Sequence, residues 1–189
     1  MLRASFCSPK NQIEWEKVYV RGEFVHDKTI YIGPRTRLDK DRGPGGLIGN
    51  PQTVGSHVVT PFKLEGSDKC VLVNRGWVPK NSVPPESRGE VLPSGVMTII
   101  GLVRIEEIIN AYTPKNDPDA NKWHSRDIKI LSEKLNTLPV FIDADGSTTV
   151  PNGPIGGQTY VNLPNDHVQY FMTWFGLTAL GLFVILFKI

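Results

Sequence analysis

GVMTIIGLVRIE, from Gly95 to Glu106, is a long run of apolar and β-branched residues, the composition that favours a central β-strand. Outward from it, KCVLVNRGWV at Lys69 to Val78 and HVVTPF at His57 to Phe62 have the same character. Proline, glycine and charged residues separate these runs and mark turns between them. The sequence therefore predicts that the three strands form the core sheet of a mainly β domain.

The amino-terminal part of the chain adds two strands and a loop. Glu16 to Phe24 alternates apolar and polar residues, and Thr29 to Ile32 is expected to pair with it as a hairpin across the turn at 26–28. From Lys40 to Gly55 the sequence KDRGPGGLIGNPQTVG is rich in glycine and proline. Since such residues lose much backbone entropy on ordering or lack an N–H donor, a mobile surface loop is predicted there.

The end of the β-rich region predicts one short helix and two more strands. Apolar residues recur at helical spacing from Ser125 to Leu135, and Ser125 or Asp127 is available as the N-cap. The pair Asp145-Gly146 is typical of a hairpin turn. Strands are expected over Val140 to Asp143 and near Gln158 to Leu163. The architecture expected from these elements is an antiparallel sheet or a barrel-like fold.

An uncharged run lies near the carboxyl end. VQYFMTWFGLTALGLFVILF, Val168 to Phe187, is long enough as a helix to span a bilayer core of roughly 30 Å. Tyr170 and Trp174 stand near its start, where aromatic belts form. A transmembrane helix in contact with lipid is therefore expected in preference to a buried core helix. The predicted organisation is an extension over 1–12, a soluble β-rich domain over 13–165 and this helix, the chain's single membrane segment, over 166–188.

Composition argues against nucleic acid as a partner and leaves the redox compartment of the protein undecided. The chain has 189 residues and a formal net charge of +2, and its lysines and arginines are scattered, so nucleic-acid binding is not indicated. Cys7 and Cys70 are far apart and belong to no metal-binding motif. These two residues leave the redox compartment undecided.

The chain carries no local catalytic motif. Glycines between Gly43 and Gly49 are followed by no Lys-Ser/Thr pair, and neither a nucleophile elbow nor a zinc-protease helix occurs. Its four histidines are widely spaced, and two cysteines with three methionines are a poor set of copper(I) ligands. The protein is therefore predicted not to be an enzyme, although a site assembled only by folding stays open.

A set of motifs resembles the Surfeit locus (Surf/Shy) family. The central one is VLVNRGWVP at Val71 to Pro79, preceded by HVVTPF. The others follow in the family's order: VYVRGEF (Val18 to Phe24), GPR (Gly33 to Arg35), GLVR (Gly101 to Arg104), P-x-N-x-P (Pro114 to Pro118), WHSRD (Trp123 to Asp127), GPIGGQT (Gly153 to Thr159) and NDHVQYFMTW (Asn165 to Trp174). The resemblance covers nearly the whole chain.

The resemblance implies a membrane protein that assists the assembly of cytochrome c oxidase, respiratory chain complex IV. The expected location is the mitochondrial inner membrane, or the plasma membrane of a bacterium. Expected partners are the catalytic subunit of the oxidase, other assembly factors and membrane lipid. The cofactor implied is haem a, held transiently and passed to the catalytic subunit. A scaffold that stabilises early assembly intermediates without touching haem is the alternative. Family members usually carry two membrane helices, and the first has no counterpart in this sequence.

Arg75 is the first candidate site residue. It follows an apolar strand, and its guanidinium could pair with a haem propionate or with a partner's carboxylate. An internal salt bridge that braces the loop is the alternative. Beside it, Gly76 is expected to need a positive φ, and Trp77 is expected to pack in the core.

His167 is the second candidate, as a haem-iron ligand. It precedes Tyr170 and Trp174 by three and seven residues, which places the three on one helical face. Haem iron is commonly held by a histidine nitrogen, so the resemblance implies a haem a contact here. The alternative is an interfacial histidine that hydrogen-bonds near a helix start capped by Asn165.

Overall fold

The structure, a computed structural model, describes residues 14–37, 54–107, 109, 113–159 and 167–187. In the last range the backbone is described throughout, and the side chains at 170–183, 185 and 186. The described residues up to Thr159 form one compact unit, and the last helix belongs to a second.

The first unit is built mainly of β-strands, as the sequence predicts. Its strands are β1 (Lys17–Phe24), β2 (Ile30–Thr36), β3 (Val54–Leu64), β4 (Cys70–Pro79), β5 (Met97–Arg104) and β6 (Phe141–Ala144). Its helices are α1 (Pro85–Arg88) and α2 (Ile128–Leu135), and three single turns of 3₁₀ helix lie at His26–Lys28, Lys80–Ser82 and Gly146–Thr148. The second unit contains α3 (His167–Phe187).

Five of the strands close into a barrel. They follow the order β1-β5-β6-β4-β3, and β3 returns to β1 with Gly22 opposite Leu64 and Phe24 opposite Phe62. Because β3 is eleven residues long, its first half is free to pair with β2, which lies outside the closed ring. The β4–β6 pair is parallel and the other pairs are antiparallel, so the sheet is mixed.

Two apolar clusters hold this unit together. The inner cluster takes residues from each of the five barrel strands and fills the barrel: Val20, Phe62, Val71, Val73, Ile99, Ile142 and Ala144. The outer cluster packs α2 and Trp123 against residues of β2, β3, β4 and β6. A fully buried side chain of this size contributes about 1.5–3 kcal/mol, so the two clusters are the main stabilising term.

Helix α2 confirms the helix predicted over this stretch and selects one of its two candidate caps. The Asp127 side chain accepts a hydrogen bond from the Ile130 N–H at 3.0 Å, which satisfies one of the donors left free at a helix start. The helix ends at Asn136 in the left-handed conformation. Ser125 lies before the cap, where its N–H donates to Asn116 Oδ1 at 3.0 Å.

Three predictions of local pairing differ from the structure. The hairpin expected across 26–28 is wrong, because β1 pairs with β5 and β3 while β2 pairs with β3. The hairpin expected at Asp145-Gly146 is wrong as well, because Asp145 caps a 3₁₀ turn. Gln158 and Thr159 are not in a strand, and the rest of that predicted strand lies outside the described residues. So do residues 1–13 and most of the predicted glycine-rich loop.

The predicted C-terminal transmembrane helix is wrong. Among the residues that the structure describes, no helix has the length and apolar character needed to cross a membrane. The fold is therefore a β-barrel unit and a separate helix, without a demonstrated membrane span.

Candidate functional site

Strand β4 contains a β-bulge at Arg75. Asn74 lies opposite Val59 and Gly76 lies opposite Val58, which leaves Arg75 as the extra residue of the strand. Bulges of this kind bend a strand and redirect a side chain, and they are common next to functional sites. Strand β4 is buried from Val71 to Val78, and the bulge changes the direction in which the Arg75 side chain leaves it.

Gly76 is required by the bulge for two reasons. Its φ is +134°, a conformation that residues with a Cβ rarely adopt. A Cβ at this position would lie 2.2 Å from the carbonyl oxygen of Ile155, which is far closer than van der Waals contact. The positive φ predicted from the sequence is confirmed.

Trp77 joins the bulged strand to the segment 153–159. Its N–H donates to the Ile155 carbonyl and its carbonyl accepts from the Ile155 N–H, both at 2.9 Å. The indole Nε1 donates to the Arg35 carbonyl at 2.9 Å, and the residue is 3% exposed. The predicted core packing of Trp77 is confirmed, and two motifs far apart in sequence lie side by side.

Arg75 and Arg88 share one fully buried carboxylate. Glu90 has no exposed side-chain surface, and it accepts from Arg75 Nη2 at Oε1 and from Arg88 Nη2 at Oε2. Arg88 Nη1 also donates to the carbonyls of Ser82 and Val83 at 2.7 Å. The internal salt bridge considered for Arg75 is thus present, and it fastens the 82–90 segment to β4.

This Arg–Glu–Arg cluster carries an excess of positive charge, because two guanidinium groups face one carboxylate. Burial lowers the pKa of Arg75, and the charge of Glu90 opposes that shift. The Phe24 ring supplies a cation–π contact, with its centroid 5.2 Å from the Arg75 guanidinium carbon. Arg75 is thus only partly compensated by its neighbours.

A cavity of about 190 Å³ opens beside Arg75 at one end of the barrel. Phe24, Met97 and Ile99 line it with apolar side chains, and Ser147 and Thr148 also border it. Small-molecule sites usually measure about 300–1,000 Å³, so this cavity does not fit a whole haem. Arg75 as a haem contact stays a prediction.

Asp143 organises a second polar network, which also contacts the bulge. Its Oδ1 accepts from Asn74 Nδ2 and its Oδ2 accepts from Thr159 Oγ1, both at 2.8 Å. Arg104 Nη1 lies 3.6 Å from Oδ2. Since Asn74 Oδ1 in turn accepts from the Gly76 N–H at 3.1 Å, this network ties the bulge to β6.

Glu107 forms a further ionic contact, which is partly buried. Arg35 donates to it through both terminal nitrogens, at 2.7 and 2.5 Å, and the Arg126 N–H donates at 3.0 Å. Burial alone would raise the pKa of Glu107, but these hydrogen bonds and the charges of the two arginines outweigh it and lower that pKa to about 2. The carboxylate is therefore a permanent structural anion at neutral pH.

His57 is held neutral in this region. Burial lowers its pKa to about 4, partly opposed by the charge of Asp143 and assisted by Arg35. Its buried Nε2 has no hydrogen-bond partner among the described residues. Within those residues, no group of three or more His, Cys, Asp or Glu side chains is placed to hold a metal ion.

The two predicted site residues have different outcomes. Arg75 lies in the barrel and lines the cavity. His167 is the first residue of α3, but its side chain lies outside the described residues, so its predicted role as an iron ligand is untested. Sequence reasoning missed Glu90, which lies fifteen residues after Arg75, between Gly89 and Val91. No local pattern indicates that its carboxylate is buried.

The fold and the site define a closed five-stranded β-barrel whose bulged strand carries a buried Arg–Glu–Arg cluster. Comparison with known proteins extends this description. The family model of the SURF1 family matches residues 2–179. Surfeit locus protein 1 of Xenopus tropicalis is 44% identical over 171 residues, which is 89% of this chain and 55% of the relative. The Homo sapiens protein is 44% identical over 169 residues, 88% of this chain and 56% of the relative.

The chain therefore belongs to the SURF1 family, which confirms the family resemblance of its motifs. Surfeit locus protein 1 of Takifugu rubripes is also similar, at 41% identity over 89% of this chain and 71% of that protein. The chain spans little more than half the length of the Xenopus and human relatives.

Proposed function

We propose that this chain assists the assembly of cytochrome c oxidase, respiratory chain complex IV, as a non-enzymatic accessory protein. The observation that carries the proposal is its membership of the SURF1 family across most of its length. The proposed place of action is the mitochondrial inner membrane, where that oxidase is built, or the plasma membrane if the chain is bacterial. The proposed partners are the catalytic subunit of the oxidase and other assembly factors.

The first candidate for the finer role is the delivery of haem a to the catalytic subunit. Haem is then the cargo, with His167 proposed as an iron ligand and Arg75 as a propionate contact. What supports this candidate is the chemistry of the two side chains, an imidazole and a guanidinium. The cavity beside Arg75 is too small for a macrocycle, so we derive no transfer step from it.

The second candidate is a haem-independent scaffold that stabilises early assembly intermediates. It is favoured by the engagement of Arg75 with Glu90, whose side chains are 6% and 0% exposed. Side chains engaged in an internal cluster stabilise the barrel whether or not haem is present, as a scaffold requires. In this candidate the barrel presents a rigid surface to a nascent subunit.

Two measurements test the proposed function. The first is rescue of oxidase activity by this full chain in cells that lack their own SURF1 protein, compared with the Gly76→Glu variant. Rescue by the parent supports the assembly role, and failure of a well-expressed parent contradicts it. Gly76→Glu is expected to fail because its fold is damaged. Thermal unfolding like the parent's would show instead that Gly76 lies on a contact surface.

The second measurement separates the two finer roles. The visible absorption spectrum of the full chain, purified from cells that make haem a, is compared with those of His167→Ala and a barrel control, His26→Ala. Loss of haem from His167→Ala alone supports ligation at His167. Equal haem content in the folded variants rejects that ligand, and a haem-free parent favours the scaffold.

A further inference from the structure

The cavity at the end of the barrel combines three properties that a simple packing defect lacks. Its wall includes the guanidinium-bearing side chain of Arg75, it has apolar surface from Phe24, Met97 and Ile99, and Ser147 and Thr148 stand at its edge. Empty cavities in protein cores are normally apolar on all sides. An arginine in the wall therefore indicates a polar occupant and not an empty apolar void.

The buried charges beside the cavity specify the sign of that occupant. Arg75 and Arg88 are 6% and 8% exposed, and Glu90 is the carboxylate between them. Glu90 does not line the cavity, so the charge nearest the open space is that of Arg75. Because Arg75 shares Glu90 with Arg88, the cluster keeps one excess positive charge, and an anion within reach of Arg75 relieves the cost of burying it.

The size of the cavity and its apolar walls specify the uncharged part of the occupant. A volume of about 190 Å³ is comparable to the cavity of roughly 150 Å³ that can hold a benzene molecule. It is enough for a carboxylate and a short alkyl chain but not for a macrocycle. Apolar side chains on the walls favour the alkyl part over a second polar group.

We propose that this cavity is a binding site for a small monocarboxylate with a short alkyl chain, its carboxylate against Arg75 and its chain along Phe24 and Ile99. The site shares Arg75 with the haem candidate, but the proposal does not depend on a role in oxidase assembly. A guanidinium pairs well with a planar carboxylate, and a neutral amide of the same shape lacks the charge. Recognition therefore depends on charge as well as on fit.

Methionine labelling gives a direct test in the full chain. The sequence has only three methionines, Met1, Met97 and Met172, and Met97 lines the cavity while Met172 lies in α3. The full chain carrying ¹³C-methyl methionine is titrated with pentanoate, pentanamide and pentylammonium. The expected result is a saturable shift of the Met97 methyl resonance with pentanoate and binding at least tenfold weaker for the other two probes.

A pair of variants locates the binding. Val150 lines the cavity from a half-buried position, so Val150→Trp is expected to fill it and remove the pentanoate response. Val91 is 81% exposed and does not line the cavity, so Val91→Trp is the matched control and should retain the response. The proposal is overturned if pentanoate gives no saturable Met97 shift, if pentanamide binds as well, or if Val150→Trp binds like the parent.

Discussion

Replacing Glu90 with glutamine tests how far the barrel depends on its buried ionic cluster. The glutamine keeps the shape of the side chain but removes the negative charge that faces both Arg75 and Arg88. All three side chains are at most 8% exposed, so water cannot replace the lost carboxylate. Removing one partner of a buried ion pair typically destabilises a protein by about 3–5 kcal/mol, because a buried charge is left unpaired.

Urea unfolding of the full chain measures this loss. The fluorescence of Trp77 and Trp123 reports on the barrel, since these residues are 3% and 2% exposed. A loss of about 3–5 kcal/mol in the free energy of unfolding corresponds to a fall in Tm of roughly 10 °C for a domain of this size. Calorimetry of the same samples provides that second value.

An exposed ion pair serves as the control. Arg21 and Glu65 form a 2.9 Å contact with 65% and 48% of their side chains exposed. Glu65→Gln is expected to change the free energy of unfolding by less than about 1 kcal/mol. If Glu90→Gln also lowers the free energy of unfolding by less than about 1 kcal/mol, the cluster does not stabilise the barrel as its geometry indicates.

Three further predictions concern the barrel. Gly76→Ala should lower the free energy of unfolding in urea far more than Gly89→Ala. Both glycines have a positive φ, but only at Gly76 would the added Cβ lie within 4 Å of a backbone atom. Equal losses of stability in the two variants would contradict this. His57 has a folded pKa of about 4 against 6.5 when unfolded, so the unfolded chain takes the proton first and stability falls as pH drops from about 6.5 to about 4. His57→Gln should flatten that dependence, and an unchanged slope would exclude His57 as its source. Asp127→Ala should lose about 1 kcal/mol of stability with the α2 cap, and no loss would show that the cap contributes nothing.

The sequence predicts the strands because their signal is local. Alternating or continuous apolar residues identify β1, β3, β4 and β5 within a few residues of their ends, and the Asp127 cap identifies α2. Each of these patterns depends only on which face of a short segment is buried, so neighbouring residues suffice to show it. The positive φ of Gly76 is likewise predicted from local sequence, because a glycine at the end of an apolar strand can adopt it.

Strand pairing is harder to predict from the sequence, because the partner of each strand depends on segments that are distant in the chain. A short turn between β1 and β2 indicates a hairpin, yet closure of the barrel places β1 beside β5 and gives β2 to β3. Similarly, Asp145-Gly146 has the composition of a hairpin turn but begins a 3₁₀ turn. Closing the ring satisfies the edges of five strands at once, which outweighs a local turn preference.

The sequence by itself determined the family, the positions of the strands and the importance of the stretch from Asn74 to Trp77. It did not determine the end of the chain, where an uncharged run predicted a membrane span that the described residues do not show. Only the tertiary structure decided what Arg75 contacts, since the bulge turns it inward onto Glu90 and the cavity. The physical reason is that burial and charge compensation are properties of the space around a side chain, and that space is built by segments distant in sequence.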